Sequence, residues 1–200
     1  MPFDYSDAPY PIPDYKTDAH RGAWQYMARP GSWWTGEQRL AIASTSRAAH
    51  TCELCRQRKA ALSPNSVTGT HDGEPGCLPD KAVDAVHRIT TDPARLTRTF
   101  VESLLDGSTF THGHYVEMVS LIVNLISIDT LHRGLGLPLE PLPEPEPGKP
   151  DGYLPPGAAV DVAWVPMVYP ENLSKREDDI YFGASQMGHV IRAMSLVPDA

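Results

Sequence analysis

The chain has 200 residues, 41% of them hydrophobic, which suits one domain with a real core and excludes a globally disordered chain. Its formal net charge of −8, with the basic residues scattered, argues against nucleic acid as the main partner. The longest apolar-rich stretch, Met118 to Ile128, is interrupted by Ser120, Asn124 and Ser127, so a membrane span is not expected. Met1–Tyr5 lacks the basic and apolar regions of a secretion signal, and a cytoplasmic location is the expectation.

Residues 1–32 are rich in Pro, Tyr, Asp and Gly, and the prolines predict an extended arm. The aromatics Trp24, Tyr26, Trp33 and Trp34 favour an arm packed on a neighbouring subunit over a mobile terminus. Thr35 and Gln38 form a capping box that opens a helix running to about His50. A further helix starts at Thr51 or Cys52 and ends before Ser63-Pro64-Asn65, and residues 63–79 read as a loop. Lys81–Thr90 is helical, with Val83, Val86 and Ile89 on one face. Asp92-Pro93 starts another helix, to Leu105. Thr111 caps the strongest helix, His112 to Arg133, which Gly134 and Gly136 close.

From Pro138 the repeated prolines predict a semi-rigid polyproline-type strap. Val160–Val168 reads as a short extended segment and Ala184–Leu196 as a final helix. The expected class is all-α, organised as an arm (1–32), a helical core (33–137), a strap (138–159) and a C-terminal segment (160–200).

Cys52 and Cys55 stand at Cys-x-x-Cys spacing, which on a helix puts both thiols on nearly one face, able to form a reducible disulfide. A helix start at Thr51 places Cys52 at the positive end of the macrodipole, and Arg56, Arg58 and Lys59 add cationic charge; Glu53 acts the other way. The bland alternative is a pair of ordinary core cysteines. A third possibility is tetrahedral zinc on Cys52, Cys55, His71 and Cys77.

Glu117, Ser120, Asn124 and Ser127 form a polar stripe spanning about 80° on the strongest helix. The stripe either faces solvent or turns inward toward the thiols, where a buried Glu117 would have a raised pKa and could act as general acid or base. His50 is the imidazole nearest the pair in sequence, and His87 and His132 are further candidates.

The stretch Trp34-Thr35-Gly36-Glu37 through His50-Thr51-Cys52-Glu53-Leu54-Cys55-Arg56, followed by Val86–Pro93 and by His114-Tyr115-Val116-Glu117-Met118-Val119, resembles the alkyl hydroperoxidase D / carboxymuconolactone decarboxylase-like family over residues 34–137. The resemblance implies an all-α bundle, a homo-oligomer, and a peroxidase or disulfide-oxidoreductase role that needs no organic cofactor. It assigns peroxide attack to Cys55, and resolution and contact with a protein or small dithiol reductant to Cys52. The family pattern places a histidine one turn after the second cysteine, where this chain has Lys59. Its upstream glutamate falls near Arg39 and Leu40, with Glu37 a loose match. The usual proton relay is therefore absent from its usual place. Two other expectations stay open: a catalytically degenerate oligomeric scaffold on the same fold, and decarboxylase-type chemistry on lactone acids. The candidate catalytic residues are Cys52, Cys55, Glu117 and His50.

Overall fold

Helix α2 (Gly36–Ala49) begins at the capping box read from the sequence: Thr35 accepts from the Gln38 N–H, and the Gln38 side chain accepts from the Thr35 N–H. It leads directly to the thiols. A computed structural model of the protein describes residues 3–73, 76–105, 107, 109–161, 163–177 and 188–198. Around α2 stand α1 (Asp14–Ala28), α3 (Glu53–Ala60), α4 (Asp80–Thr91), α5 (Arg98–Leu104), α6 (His112–Gly134) and α7 (His189–Ala193). Among the described residues extended pairing is limited to one antiparallel bridge, Ala159 to Met167, and the class is mainly helical.

The core lies where α2 meets α4 and α6. Ala82, Ala85, Val86 and Ile89 form the buried stripe of α4, at the i, i+3, i+4, i+7 spacing of an amphipathic helix. Against it pack Ile42 and Ala43 of α2 and Met118, Leu121, Ile122 and Leu125 of α6. Helix α6 is long and apolar enough to cross a membrane, and in this fold it packs against α1, α2 and α4. Thr111 and His114 form its capping box.

Helix α1 corrects the reading of residues 1–32 as an extended arm. The prolines at 9, 11, 13 and 30 lie outside Asp14–Ala28, and Pro13 takes the N-cap, so proline bounds the helix and does not interrupt it. Trp24 and Met27 are buried in the chain's own core. The helix expected from Asp92 to Leu105 is also divided, into a 3-10 turn (Pro93–Arg95) and α5, which Thr97 caps. The break frees Arg95 to donate to the carbonyls of Arg58, Lys59 and Ala61, so Arg95 caps the C-terminus of α3.

The proline strap crosses α1 and the turn after it. Trp24 Nε1 donates to the Pro141 carbonyl, the Glu146 N–H to that of Ala28 and the Gly152 N–H to that of Ser32. Arg47 clamps it, giving two hydrogen bonds to the Asp129 carboxylate and one to the Glu140 carbonyl. The final helix is described only from His189, continuing as a 3-10 turn over Met194–Leu196; the part expected at 184–187 lies outside the described residues.

Candidate functional site

The chain turns at His50-Thr51 and restarts with Cys52 in extended conformation at the N-cap of α3. Cys52 makes no capping hydrogen bond of its own, and the cap comes from the following loop: the Glu53 N–H donates to Asp72 Oδ2 at 2.7 Å. Further along the loop Arg58 Nε donates to the Val67 carbonyl. These bonds hold residues 67–72 over the thiols and bring His71 to the sulfurs.

His71 Nδ1 lies 3.5 Å from Cys52 Sγ and 3.7 Å from Cys55 Sγ. Its Nε2 lies 2.9 Å from Asp84 Oδ1 on α4. Asp84 also accepts from Arg58 and, at 2.8 Å, from Arg88. One turn along α4 from Asp84, His87 places Nδ1 3.2 Å from Cys55 Sγ. The two imidazoles stack with centroids 3.9 Å apart. Both thiols are free and buried, and His87 is 1% exposed.

The electrostatics follow from these contacts. Burial opposes charge on Asp84, but the hydrogen bonds from His71 and Arg58 and the charge of Arg88 hold its carboxyl far below the usual range. Burial likewise works against the His71 imidazolium; the bonds to Asp84, Cys55 and Cys52 outweigh it and push its pKa up to about 10. Burial also opposes a Cys52 thiolate, yet the nearby N–H groups of Asp72 and Cys55, with His71, bring that thiol below its ordinary value. His87 goes the other way: burial first, then the charge of His71, lower it to about 4, so it is a neutral imidazole. An ionised Asp84 can only accept, so His71 Nε2 carries the proton of that bond and Nδ1 is left to exchange a proton with sulfur. This is a thiol–imidazole–carboxylate arrangement, with a second, neutral imidazole beside Cys55.

Of the residues singled out from the sequence, Cys52 and Cys55 are together at this site. His50 lines a cleft of about 400 Å³ together with Cys52 and Cys55, and among the described contacts it bonds to neither sulfur. Glu117 is elsewhere. It is fully buried beside Arg39, Oε1 facing Arg39 Nε at 3.2 Å, and Oε2 accepts from the Trp33 N–H at 2.7 Å. Arg39 stands near the start of α2 and the thiols follow its end, so about 15 Å of helix separates the two sites. The expected polar stripe divides accordingly: Glu117 and Ser120 are buried, Asn124 and Ser127 exposed. His132 bonds to Tyr5 and to the Pro138 carbonyl.

The Cys52, Cys55, His71, Cys77 zinc set is also corrected. Cys77 is exposed and outside the cluster, and His87 takes its place. His87 is one of the further imidazoles expected from the sequence, but not as a partner of Cys55; Asp84, His87 and Arg88 stand at i, i+3, i+4 and mark the polar flank of α4 that meets the thiols. Comparison with protein-family models, with curated proteins and with solved structures finds no match to this chain.

Proposed function

We propose that this protein is a thiol-dependent peroxidase or disulfide oxidoreductase of the alkyl hydroperoxidase D-like type, with Cys52 and Cys55 as its redox pair. The observation that supports this reading best is the position of His71, Nδ1 facing both sulfurs and Nε2 held by Asp84. That pair supplies the acid–base group whose usual place is taken by Lys59.

The Cys55 thiolate attacks the outer oxygen of a hydroperoxide, the O–O bond breaks, and the departing alkoxide takes a proton from His71. Cys55 is left as the sulfenic acid. The Cys52 thiolate then attacks the Cys55 sulfur and expels hydroxide, which leaves as water with a second proton, and the Cys52–Cys55 disulfide forms. Two thiolates, one hydroperoxide and two protons thus give a disulfide, an alcohol and water. An external dithiol or partner protein returns the pair to the reduced state by exchange at Cys52. Cys55 is the better placed to attack, since it faces both imidazoles and opens onto a second small cleft beside Arg58 and Arg95. The reading takes the working form to be a homo-oligomer.

Consumption of cumene hydroperoxide with dithiothreitol as reductant tests it. Catalytic turnover is expected for the wild type, with loss in both Cys55→Ser and Cys52→Ser. Turnover unchanged in Cys55→Ser would refute the assignment.

A further inference from the structure

The same cluster has a geometry that proton transfer alone does not require. Cys52 Sγ, Cys55 Sγ and one nitrogen each of His71 and His87 all lie within 4.8 Å of one another. The sulfur–nitrogen separations are 3.2, 3.5 and 3.7 Å. In a tetrahedral zinc site with Zn–S near 2.3 Å and Zn–N near 2.0–2.1 Å, neighbouring ligand atoms stand roughly 3.4–3.8 Å apart. The four groups therefore need to move by only a fraction of an ångström to about 1 Å to close on one cation.

Three further features fit a metal site. The sequence order is Cys-x2-Cys-x15-His-x15-His, so the ligands come from a helix start, a loop and a second helix, which one ion would tie together. Asp84 behind His71 Nε2 is the carboxylate–histidine pairing that orients a ligating imidazole, and Arg58 and Arg88 fix the carboxylate in turn. His87 is almost wholly buried, its Nε2 has no hydrogen-bond partner among the described residues, and its Nδ1 is aimed into the cluster. A buried imidazole with one nitrogen unpartnered and the other pointed at sulfur needs a reason to be there.

We infer that, with its thiols reduced, the protein binds one borderline-soft divalent cation of the zinc class through Cys52, Cys55, His71 and His87. Two thiolates and two imidazoles in tetrahedral disposition select zinc over magnesium or calcium, which take oxygen ligands. The inference concerns the same side chains as the redox reading but does not depend on it. The cation engages the sulfur lone pairs that would attack peroxide, and a Cys52–Cys55 disulfide removes both sulfur ligands.

Titration of the metal-free, reduced full-length protein with cobalt(II) provides the test. The expected result is one equivalent bound, with the visible ligand-field bands of tetrahedral cobalt and a thiolate charge-transfer band, both abolished when zinc is added. Asp84→Asn, which leaves all four ligands in place, should weaken binding about 10–100-fold. Alkylating the thiols of the folded wild type should abolish the bands without any mutation, and His71→Ala should abolish their tetrahedral character. Absence of these bands, or their persistence after alkylation or in a correctly folded Cys52→Ser, overturns the inference. The two readings fail separately. Cobalt binding without fast peroxide oxidation removes only the redox reading, and fast oxidation without cobalt binding removes only the metal site.

Discussion

His71 Nε2 and Asp84 Oδ1 stand 2.9 Å apart, joining a loop residue to helix α4 at the back of the thiol pair. Because Asp84 is also held by Arg58 and Arg88, the carboxylate is fixed before His71 meets it. If His71 is the acid–base group, His71→Ala should lower hydroperoxide turnover by about 10²-fold. Asp84→Asn should lower it less, because the imidazole stays near the sulfurs but loses the partner that sets its tautomer. Steady-state assays on both variants, with circular dichroism to establish folding, decide this; equal rates in His71→Ala and wild type would exclude the role.

The two thiols have different surroundings, and their serine variants should differ too. In Cys52→Ser, peroxide should convert Cys55 to a sulfenic acid that persists, detectable by mass spectrometry after trapping with dimedone. In Cys55→Ser, Cys52 should stay unoxidised on the same timescale. The reverse pattern would exchange the attacking and resolving roles.

Glu117 carries a testable pH dependence remote from the thiols. Burial raises its carboxyl, and the Arg39 charge and the Trp33 and Trp34 N–H groups only partly offset this, leaving it at about 7, above its ordinary value of 4.5. The folded protein thus binds more protons than the unfolded chain between those values. The contribution of Glu117 to stability is full below the unfolded pKa and is lost as pH rises through about 7. Urea unfolding from pH 5 to pH 8 should show stability falling with pH in the wild type, by up to about 1.4 kcal/mol per pH unit, and a flatter profile in Glu117→Gln. Parallel profiles for the two proteins would contradict the raised pKa.

Gly31 sits directly against the Glu117 carboxylate. A Cβ at that position would lie 1.9 Å from Glu117 Oε1 and 2.6 Å from its Cδ, and burial of the ion pair leaves the carboxylate little room to yield. Gly31→Ala should cost about 1–3 kcal/mol, read as a lower urea midpoint, while Gly22→Ala, with open space around it, should not destabilise by this route.

Much of the helical layout was legible because its boundaries carry local chemistry. Thr35 with Gln38, and Thr111 with the glycines near 134, mark α2 and α6 within a residue or two. Helix α1 was hidden because prolines crowd the segment before it, and their exclusion from residues 14–28 was the overlooked signal. Cys52 and Cys55 announced themselves by spacing. His71 is legible as a ligand candidate and His87 as a further imidazole, but their meeting at the sulfurs is not, since a loop of ordinary polar composition and a helix far along the chain bring them in. Glu117 illustrates a different limit. Its burial and raised pKa follow from the apolar character of α6, but the end of α2 it meets is set by how the two helices pack, and the partner there is Arg39.

Rapid mixing of the reduced, metal-free protein with hydrogen peroxide, with mass spectrometry to follow the Cys52–Cys55 disulfide, decides whether the pair is an activated redox centre. The disulfide should form about 100-fold or more faster than peroxide oxidises an ordinary free thiol, with the excess rate lost in His71→Ala. Oxidation no faster than that of a free thiol, or equally fast without His71, would rule out an imidazole-activated thiol pair.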